Sequence, residues 1–298
     1  MLVNNAFRSA ARSSFLWVVI CLLLMIGTGY AEVKPLPIDF SGGIPAKESG
    51  FLSDMEYKDE SIHVWIEAGR EYGTNYWVAY IKIVDPTQIR SVSAGGFDSV
   101  KVMPGTVLAN RVNAILAVDG DYYNYTSDGY LIRQGVKYRD VPNRYRDTLM
   151  IDDKGDFHIV MPATEEKLQP FREMNIINSF NFGPALVIDG ELRKTIPSNN
   201  QVKANDPRQR VCVAQIGELE YFCIASEGPA DAGSRGMTLK EVAKLAYDLG
   251  AKQAYNLDGG NSAMLIFAGR KINAVDNKNL RDLSDILYFA SAETESGN

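Results

Sequence analysis

Residues 238–262, TLKEVAKLAYDLGAKQAYNLDGGNS, decide how this chain is read. Val242, Leu245, Ala246 and Leu249 recur at helical spacing and predict an amphipathic helix over Leu239–Leu249. Thr238 with Glu241 three residues later forms a capping box, and Gly250 stands where a glycine closes a helix. Ala254–Leu257 then reads as a short strand that delivers Asp258 to the paired glycines Gly259 and Gly260. By pattern alone this end has two readings. Asp-Gly is a strong hairpin-turn signal, and paired glycines also let a backbone pass close to a ligand and aim its amides there.

Upstream of this unit the chain is mostly strand. In Ser61–Glu67 the residues Ile62, Val64 and Ile66 alternate with His63, Trp65 and Glu67. Tyr76–Val84 is a longer β-branched and aromatic run. Ile115–Val118 is a short apolar strand ending in Asp119-Gly120-Asp121. Asp147–Val160 reads as a hairpin turning at residues 153–156, and Ala185–Ile188 runs into a turn at Asp189-Gly190. Together these predict a strand-rich single α+β domain with mixed sheets and a few helices. It covers residues 51–292 and is followed by a frayed tail, 293–298.

The N-terminus has the layout of an export signal. Arg8 and Arg12 precede the unbroken apolar stretch Phe15–Ile26, and small residues at Gly29 and Ala31 flank a cleavage position. Twelve apolar residues are short for a membrane span, which needs about 20. Residues 1–31 therefore read as a signal peptide, with membrane attachment only through an uncleaved leader. Residues 32–50, with Pro35, Pro37 and Pro45, read as a linker. The implied location is extracytoplasmic.

The chain of 298 residues carries a net charge of −6, and loss of the leader, with two arginines and no acid, makes this −8. That balance argues against a nucleic-acid partner, which needs a basic face. An anionic ligand would have to be held by local arginines. Outside the leader there are two cysteines. A two-residue loop at Gly217-Glu218 would set Cys212 opposite Cys223, within disulfide reach. Two buried thiols in a core hairpin are the equal alternative.

The only histidines, His63 and His158, sit in ordinary strand patterns, so neither a Ser-His-Asp triad nor a His-rich zinc site is supported. Chemistry must rest on carboxylates, arginines and backbone dipoles, or on an oxygen-bound cation. Four segments combine these elements with glycine. Asp119-Gly120-Asp121-Tyr122-Tyr123 puts two acids beside two aromatics, a combination suited to a sugar, although solvated Asp-Gly turns are the commoner case. Asn256–Ser262 is the segment quoted above. Arg208 and Arg210 offer planar forks for phosphate, or form an exposed strand end. Glu227-Gly228 and the loop around Arg235 precede the capped helix, whose N-terminus suits an anion.

In this order the segments resemble the phosphodiester glycosidase family, closest to its exported bacterial branch, from about Phe51 to Ala290. The matches are the turn at Asp119–Tyr123, the Phe182–Leu186 run before Asp189-Gly190, Arg210 at a hairpin entry, the helix start Gly236–Leu239, the signature Asn256–Ser262, and the closing run Ser284–Leu287. Two positions depart from the family pattern. Asp119 replaces the usual Asn of the first turn, and Asn261 replaces the third Gly of the signature. The second departure requires Asn261 to accept a glycine's backbone geometry, and Asn tolerates the left-handed region better than most residues.

The resemblance implies hydrolysis of the glycosidic bond in a sugar-1-phosphodiester, such as a GlcNAc-phosphate-like, cell-envelope or exopolysaccharide glycan. It makes Asp258, Asp121 and Glu227 the catalytic candidates. Arg210 and Arg235 become candidates for the phosphate. Asp119, Tyr122, Tyr123, Asn256, Gly259, Gly260, Asn261 and Ser262 complete the substrate site, with the glycine amides stabilising developing charge. No metal ligand set is legible, although the clustered acids are chemically compatible with Ca²⁺ or Mg²⁺. A phosphodiesterase cleaving P–O, or a silent glycan-binding module, are the other readings.

Overall fold

In strand Ile62–Glu71 the predicted alternation holds: Ile62, Val64 and Ile66 are buried and His63, Trp65 and Glu67 are more exposed. The computed structural model describes residues 33–229, 231, 233–274 and 279–294. The signal-peptide reading of residues 1–31 and the last four residues of the tail lie outside the described residues.

Ile62–Glu71 pairs along its whole length with Thr74–Ile83. Local hairpins and pairings between distant segments extend this pair into a nine-stranded sheet. Its order is Phe51–Ser53, Glu56–Lys58, Ile62–Glu71, Thr74–Ile83, Glu220–Ser226, Val211–Gly217, Gln253–Asn256, Ala185–Ile188, Glu191–Leu192. A second sheet runs Arg270–Lys271, Leu265–Phe267, Ala114–Asp119, Asp285–Ala290, Ile89–Ser93. A three-stranded sheet (Phe157–Val160, Thr148–Asp152, Ile176–Phe180) and the hairpin of Gly129–Arg133 with Val136–Val141 complete the β structure. The pairings within these sheets are antiparallel. The strand-rich α+β reading stands; local hairpins are joined by long-range pairings such as Thr74–Ile83 with Glu220–Ser226 and Ala114–Asp119 with Asp285–Ala290.

Two sheets that each bury one face must meet, and they do so over a common core. Val64, Ile81, Val213 and Tyr221 from the large sheet face Leu116, Phe267, Leu287 and Phe289 from the second. Each outer face then needs its own cover. The capped helix Leu239–Asp248 lays Val242, Ala243, Leu245 and Ala246 over Cys212, Ala214, Phe222 and Ile224 of the large sheet. Helix Gly105–Arg111 lays Leu108 and Ala109 over Ala117, Ile266, Ile286 and Tyr288 of the second. The Thr238–Glu241 capping box is formed as predicted. The second sheet was less legible because Asp285–Ala290 is buried at every residue and shows no alternation.

Three expectations are corrected. Residues 33–50 are no tether. Val33 and Leu36 are buried beside the Gly105–Arg111 helix, and Val33 and Ile44 bridge to Thr294 and Ser291. The Val33–Thr294 bridge and the Lys34 N–H bond to the Glu293 carbonyl at 2.8 Å hold residues 293–294 against the domain, so that part of the tail is not frayed. The cysteine hairpin turns at Glu218-Leu219, with Gly217 opposite Glu220 and Leu219 at φ 53°. That register puts Cys223 opposite Val213 and Cys212 opposite Ile224. Successive strand side chains point to opposite faces, so Cys212 packs under the helix and Cys223 in the inter-sheet core. Both are free, and burial pushes the Cys212 thiol up to about 12.

The layers are tied together by one buried cation. Arg133 is fully buried at the end of its strand and donates to Asp121 Oδ1 at 2.8 Å and Asp285 Oδ2 at 3.1 Å. It also donates to the carbonyl of Ser179, and its guanidinium lies 4.2 Å from the Phe180 ring centroid. Gly120 lets the acidic turn close over this pair, since a Cβ there would overlap the Asp285 carboxylate. One guanidinium faces two buried carboxylates. Burial and the neighbouring Asp121 push Asp285 up to about 6, with Arg133 and Ser284 opposing.

Two outcomes follow from this packing. Adding reductant to the folded protein leaves the melting temperature unchanged, and a reductant-sensitive melt would mean that the thiols are bonded. Arg133→Met leaves both carboxylates uncompensated and lowers stability at pH 7 by about 3–5 kcal/mol. The Asp285 carboxyl, already raised, holds a proton that the unfolded chain releases above about pH 4. The deficit in denaturant unfolding should therefore shrink as pH falls from 7 toward 5; a deficit independent of pH would contradict this account.

Candidate active site

Asp258 lies in the loop two residues beyond the Gln253–Asn256 strand, with its N–H bonded to the carbonyl of Gly120 at 3.2 Å. That bond places it beside the Asp119–Asp121 turn, although 136 or more residues separate the two segments in the chain. A cavity of about 330 Å³ opens above it, lined by Asp258, Gly259, Gly260 and Asn261 together with Tyr122, Phe182, Arg281 and the 200–203 and 208–210 segments.

The Asp258 carboxylate is largely buried. Burial holds its pKa above the usual carboxylate range, while Ser262, the Gly259 N–H and Arg281 pull it down. A buried carboxylate with a raised pKa at the floor of a cavity is suited to proton transfer or charge stabilisation. Arg281 Nη1 lies 3.8 Å from Asp258 Oδ2 and 3.4 Å from Ser262 Oγ. The Arg281 backbone N–H holds the carbonyl of Asn261 at 2.9 Å. A half-exposed pair this long contributes at most about 1 kcal/mol to stability. Arg281 is therefore weakly committed to Asp258 and able to engage an anion. Arg208 and Lys203 join it in lining the cavity that holds this carboxylate.

The glycine amides do not point at a ligand as expected. The Gly259 N–H donates to Asp258 Oδ1 at 2.8 Å, and the Gly260 N–H donates to the Gln209 carbonyl at 3.0 Å. Their role is to fix the Asp258 side chain and to let two backbones touch. The left-handed position falls on Gly260, with φ 61°. Asn261 is not among the residues with positive φ, so replacing a glycine there needs no unusual backbone.

Arg210 reaches the cavity wall, but its guanidinium turns inward. It donates to the carbonyls of Met237, Val202, Lys203 and Asp206 at 2.8–3.1 Å. Burial and then Arg208 lower its pKa to about 10. These four bonds brace the loop that carries Lys203, so Arg210 shapes the cavity rather than offering its fork to phosphate. Tyr122 is also committed. Its ring stacks on Tyr125 with centroids 3.8 Å apart, and the Arg281 guanidinium lies 5.5 Å from its centroid.

Several predicted residues sit behind the cavity. Asn256 is buried and donates to the Gly183 carbonyl at 2.7 Å, which brings Phe182 to the wall. Tyr123 is buried and donates to the Gly96 carbonyl at 3.0 Å. Asp121 is held by Arg133 and by the Asn181 N–H at 2.8 Å. Asp119 is fully buried and accepts from the Met264 N–H at 2.9 Å. Ser262 is buried beneath Asp258. Glu227 and Arg235 do not line the cavity. Glu227 accepts from Asn75 and Ser234, while Arg235 binds the Tyr72 carbonyl and the capping residue Glu241. Among the described residues, no group of three or more His, Cys, Asp or Glu side chains is arranged to hold a metal ion.

Arg281, Lys203, Arg133 and Asp285 were not anticipated as site residues. The closing Ser284–Leu287 run was a signal for Asp285. Arg133 looks like a solvated strand end in sequence, and nothing local marks Arg281.

No curated protein sequence gives a significant match. Among solved structures, the catalytic domain of zebrafish N-acetylglucosamine-1-phosphodiester alpha-N-acetylglucosaminidase, auto-inhibited by its pro-peptide, aligns with a TM-score of 0.60 at 20% identity. The alignment covers 83% of this chain and 86% of that one. A hypothetical protein from Synechocystis aligns with a TM-score of 0.51 at 13% identity, over 77% and 62% of the two chains. A Burkholderia pseudomallei protein described as exported aligns with a TM-score of 0.51 at 12% identity, over 73% and 74%. These likenesses show a shared fold. A family profile described as phosphodiester glycosidase matches residues 112–290, a span that holds Asp121, Arg133, Arg210, Asp258, Arg281 and Asp285, and the chain belongs to that family.

Proposed function

We propose that this protein is an exported hydrolase that cleaves the glycosidic bond of a sugar-1-phosphodiester. The observation that carries the reading is a buried carboxylate with a raised pKa, Asp258, on the floor of a cavity walled by Arg281, Arg208 and Lys203. The three cations suit a phosphodiester and the phosphate monoester released from it. A phosphate leaving group needs little protonation, so the demands on the site reduce to anion binding, oxocarbenium stabilisation and activation of water. Asp258 is the residue placed to serve the last two. Arg281 takes over the phosphate role first assigned to Arg210, because its guanidinium is half exposed and weakly paired. The basic and apolar leader and the fold shared with a protein described as exported support an extracytoplasmic location.

Hydrolysis of a panel of sugar-1-phosphodiesters in ¹⁸O-water tests the bond cleaved. Label should appear in the freed sugar; label in the phosphate would assign the protein to P–O cleavage, and binding without release would make it a glycan-binding module. Asp258→Asn should lower kcat by about 10²–10³ with no loss of melting temperature, a loss of rate typical of a group that stabilises transition-state charge. Arg281→Ala should raise KM about tenfold or more while affecting kcat less, because it removes an anion contact made in both ground and transition states. Equal kinetics for Arg281→Ala and wild type would remove that residue from the phosphate site.

A further inference from the structure

Beneath Asp258 lies a second, small cavity of about 10 Å³, lined by Asp119, Asp258, Ser262, Asp282 and Asp285 among others. Asp119 is fully buried there. Its Oδ1 accepts from the Met264 N–H at 2.9 Å, and its Oδ2 has neither a hydrogen-bond partner nor solvent. The nearby cations serve other acids: Arg133 is bonded to Asp121 and Asp285, and Arg281 reaches Asp258. The groups whose charges act on Asp119 are Asp258 and Asp285, with Asp282 on the cavity wall and the buried Cys223 thiol on the adjoining sheet. An ionised carboxylate with one orphaned oxygen in such surroundings is strongly disfavoured, and protonation removes the conflict.

We propose that Asp119 is a positioning residue that stays neutral, with its proton in the cavity it shares with Asp258, so that Asp258 alone carries the negative charge of the pair. Burial first, and then the charge on Asp258, hold the Asp119 carboxyl well above the usual range. The order of ionisation follows. Asp258 keeps partial contact with the cavity, Ser262, a backbone N–H and Arg281, and loses its proton first. Asp119 follows at higher pH, against that charge. The two acids then bracket the pH window in which the pair is singly ionised, and the apparent values belong to the pair. Asp119 does not touch the main cavity, so it acts through Asp258 rather than on substrate. The Asp at this position, where the family pattern has Asn, thus keeps a neutral group of the same shape at low pH and adds a charge at high pH.

The consequence for turnover rests on the hydrolase reading above; the proton itself does not. Carboxyl ¹³C NMR of aspartate-labelled protein, with Asp258→Asn for assignment, should show Asp258 titrating in two steps in wild type and in one step in Asp119→Asn. The Asp119 signal should titrate far above about 4, the ordinary aspartate value. An Asp119 signal titrating near 4, or an identical Asp258 curve in both proteins, overturns the proposal, and the wild-type titration decides even where the variant fails to fold. Stability gives an independent reading. The wild-type native state holds a proton that its unfolded state releases, so the ratio of wild-type to Asp119→Asn unfolding constants should rise about tenfold per pH unit above about pH 4. Parallel stability curves count against it. With a turned-over substrate, Asp119→Asn should lose the alkaline limb of the kcat profile; a retained limb beside diverging stability curves would reduce Asp119 to a structural proton. Absence of turnover in wild type would reject the hydrolase reading while leaving the NMR and stability results decisive.

Discussion

The contact of buried Arg133 with Asp121 and Asp285 is the constraint on which the site depends. Three chain segments that share no local signal meet at one guanidinium: the Asp119–Asp121 turn, the Gly129–Arg133 strand and the Asp285–Ala290 strand. Removing such charges from water costs several kcal/mol each, and only good geometry with further hydrogen bonds recovers that cost. Arg133 adds bonds to the carbonyls of Ile132 and Ser179 and has the Phe180 ring beside it, while its Nε–H is buried without a partner, so the compensation is incomplete. The pairing locates the turn, the Gly120 carbonyl on that turn holds the Asp258 N–H, and Asp258 forms the cavity floor.

The charge distribution around this constraint divides the site into two levels. Below, Asp119, Asp121 and Asp285 are buried with a single guanidinium among them, and the Asp119 and Asp285 carboxyls are both pushed upward. Above, Asp258 faces three cations that are exposed or only partly paired. A buried acidic lower level and a cationic upper level give one carboxylate a distinct environment on each side. Pushing apart the pKa values of neighbouring carboxyls is the physical route by which a fold assigns different roles to identical side chains.

Braces matter as much as contacts. Arg210, Asn256 and the paired glycines were expected to meet a ligand, and each instead fixes a wall of the cavity. Arg210 gathers four carbonyls of neighbouring loops, Asn256 anchors Gly183, and Gly259 and Gly260 lock Asp258 against Gln209. Buried backbone carbonyls need partners, and these side chains and amides supply them while holding the cavity walls in place.

What the sequence alone determined was local and periodic. The capping box at Thr238, the stripe along Leu239–Asp248, the alternation in Ile62–Glu71 and the hairpin at residues 153–156 are written in spacings that backbone geometry reads directly. The segment order also carried the family, and the Asp258 turn was marked as a site. What only the tertiary structure decided was non-local. The hairpin register that sends Cys212 and Cys223 to opposite faces depends on a one-residue choice of turn, and one residue reverses every side chain. The inward turn of Arg210, the half-exposed placement of Arg281 and the burial of Asp119 depend on which carbonyls, rings and charges come from elsewhere in the chain. A charged residue's spacing cannot reveal its partner, because electrostatic and hydrogen-bond partners are set by packing between distant segments.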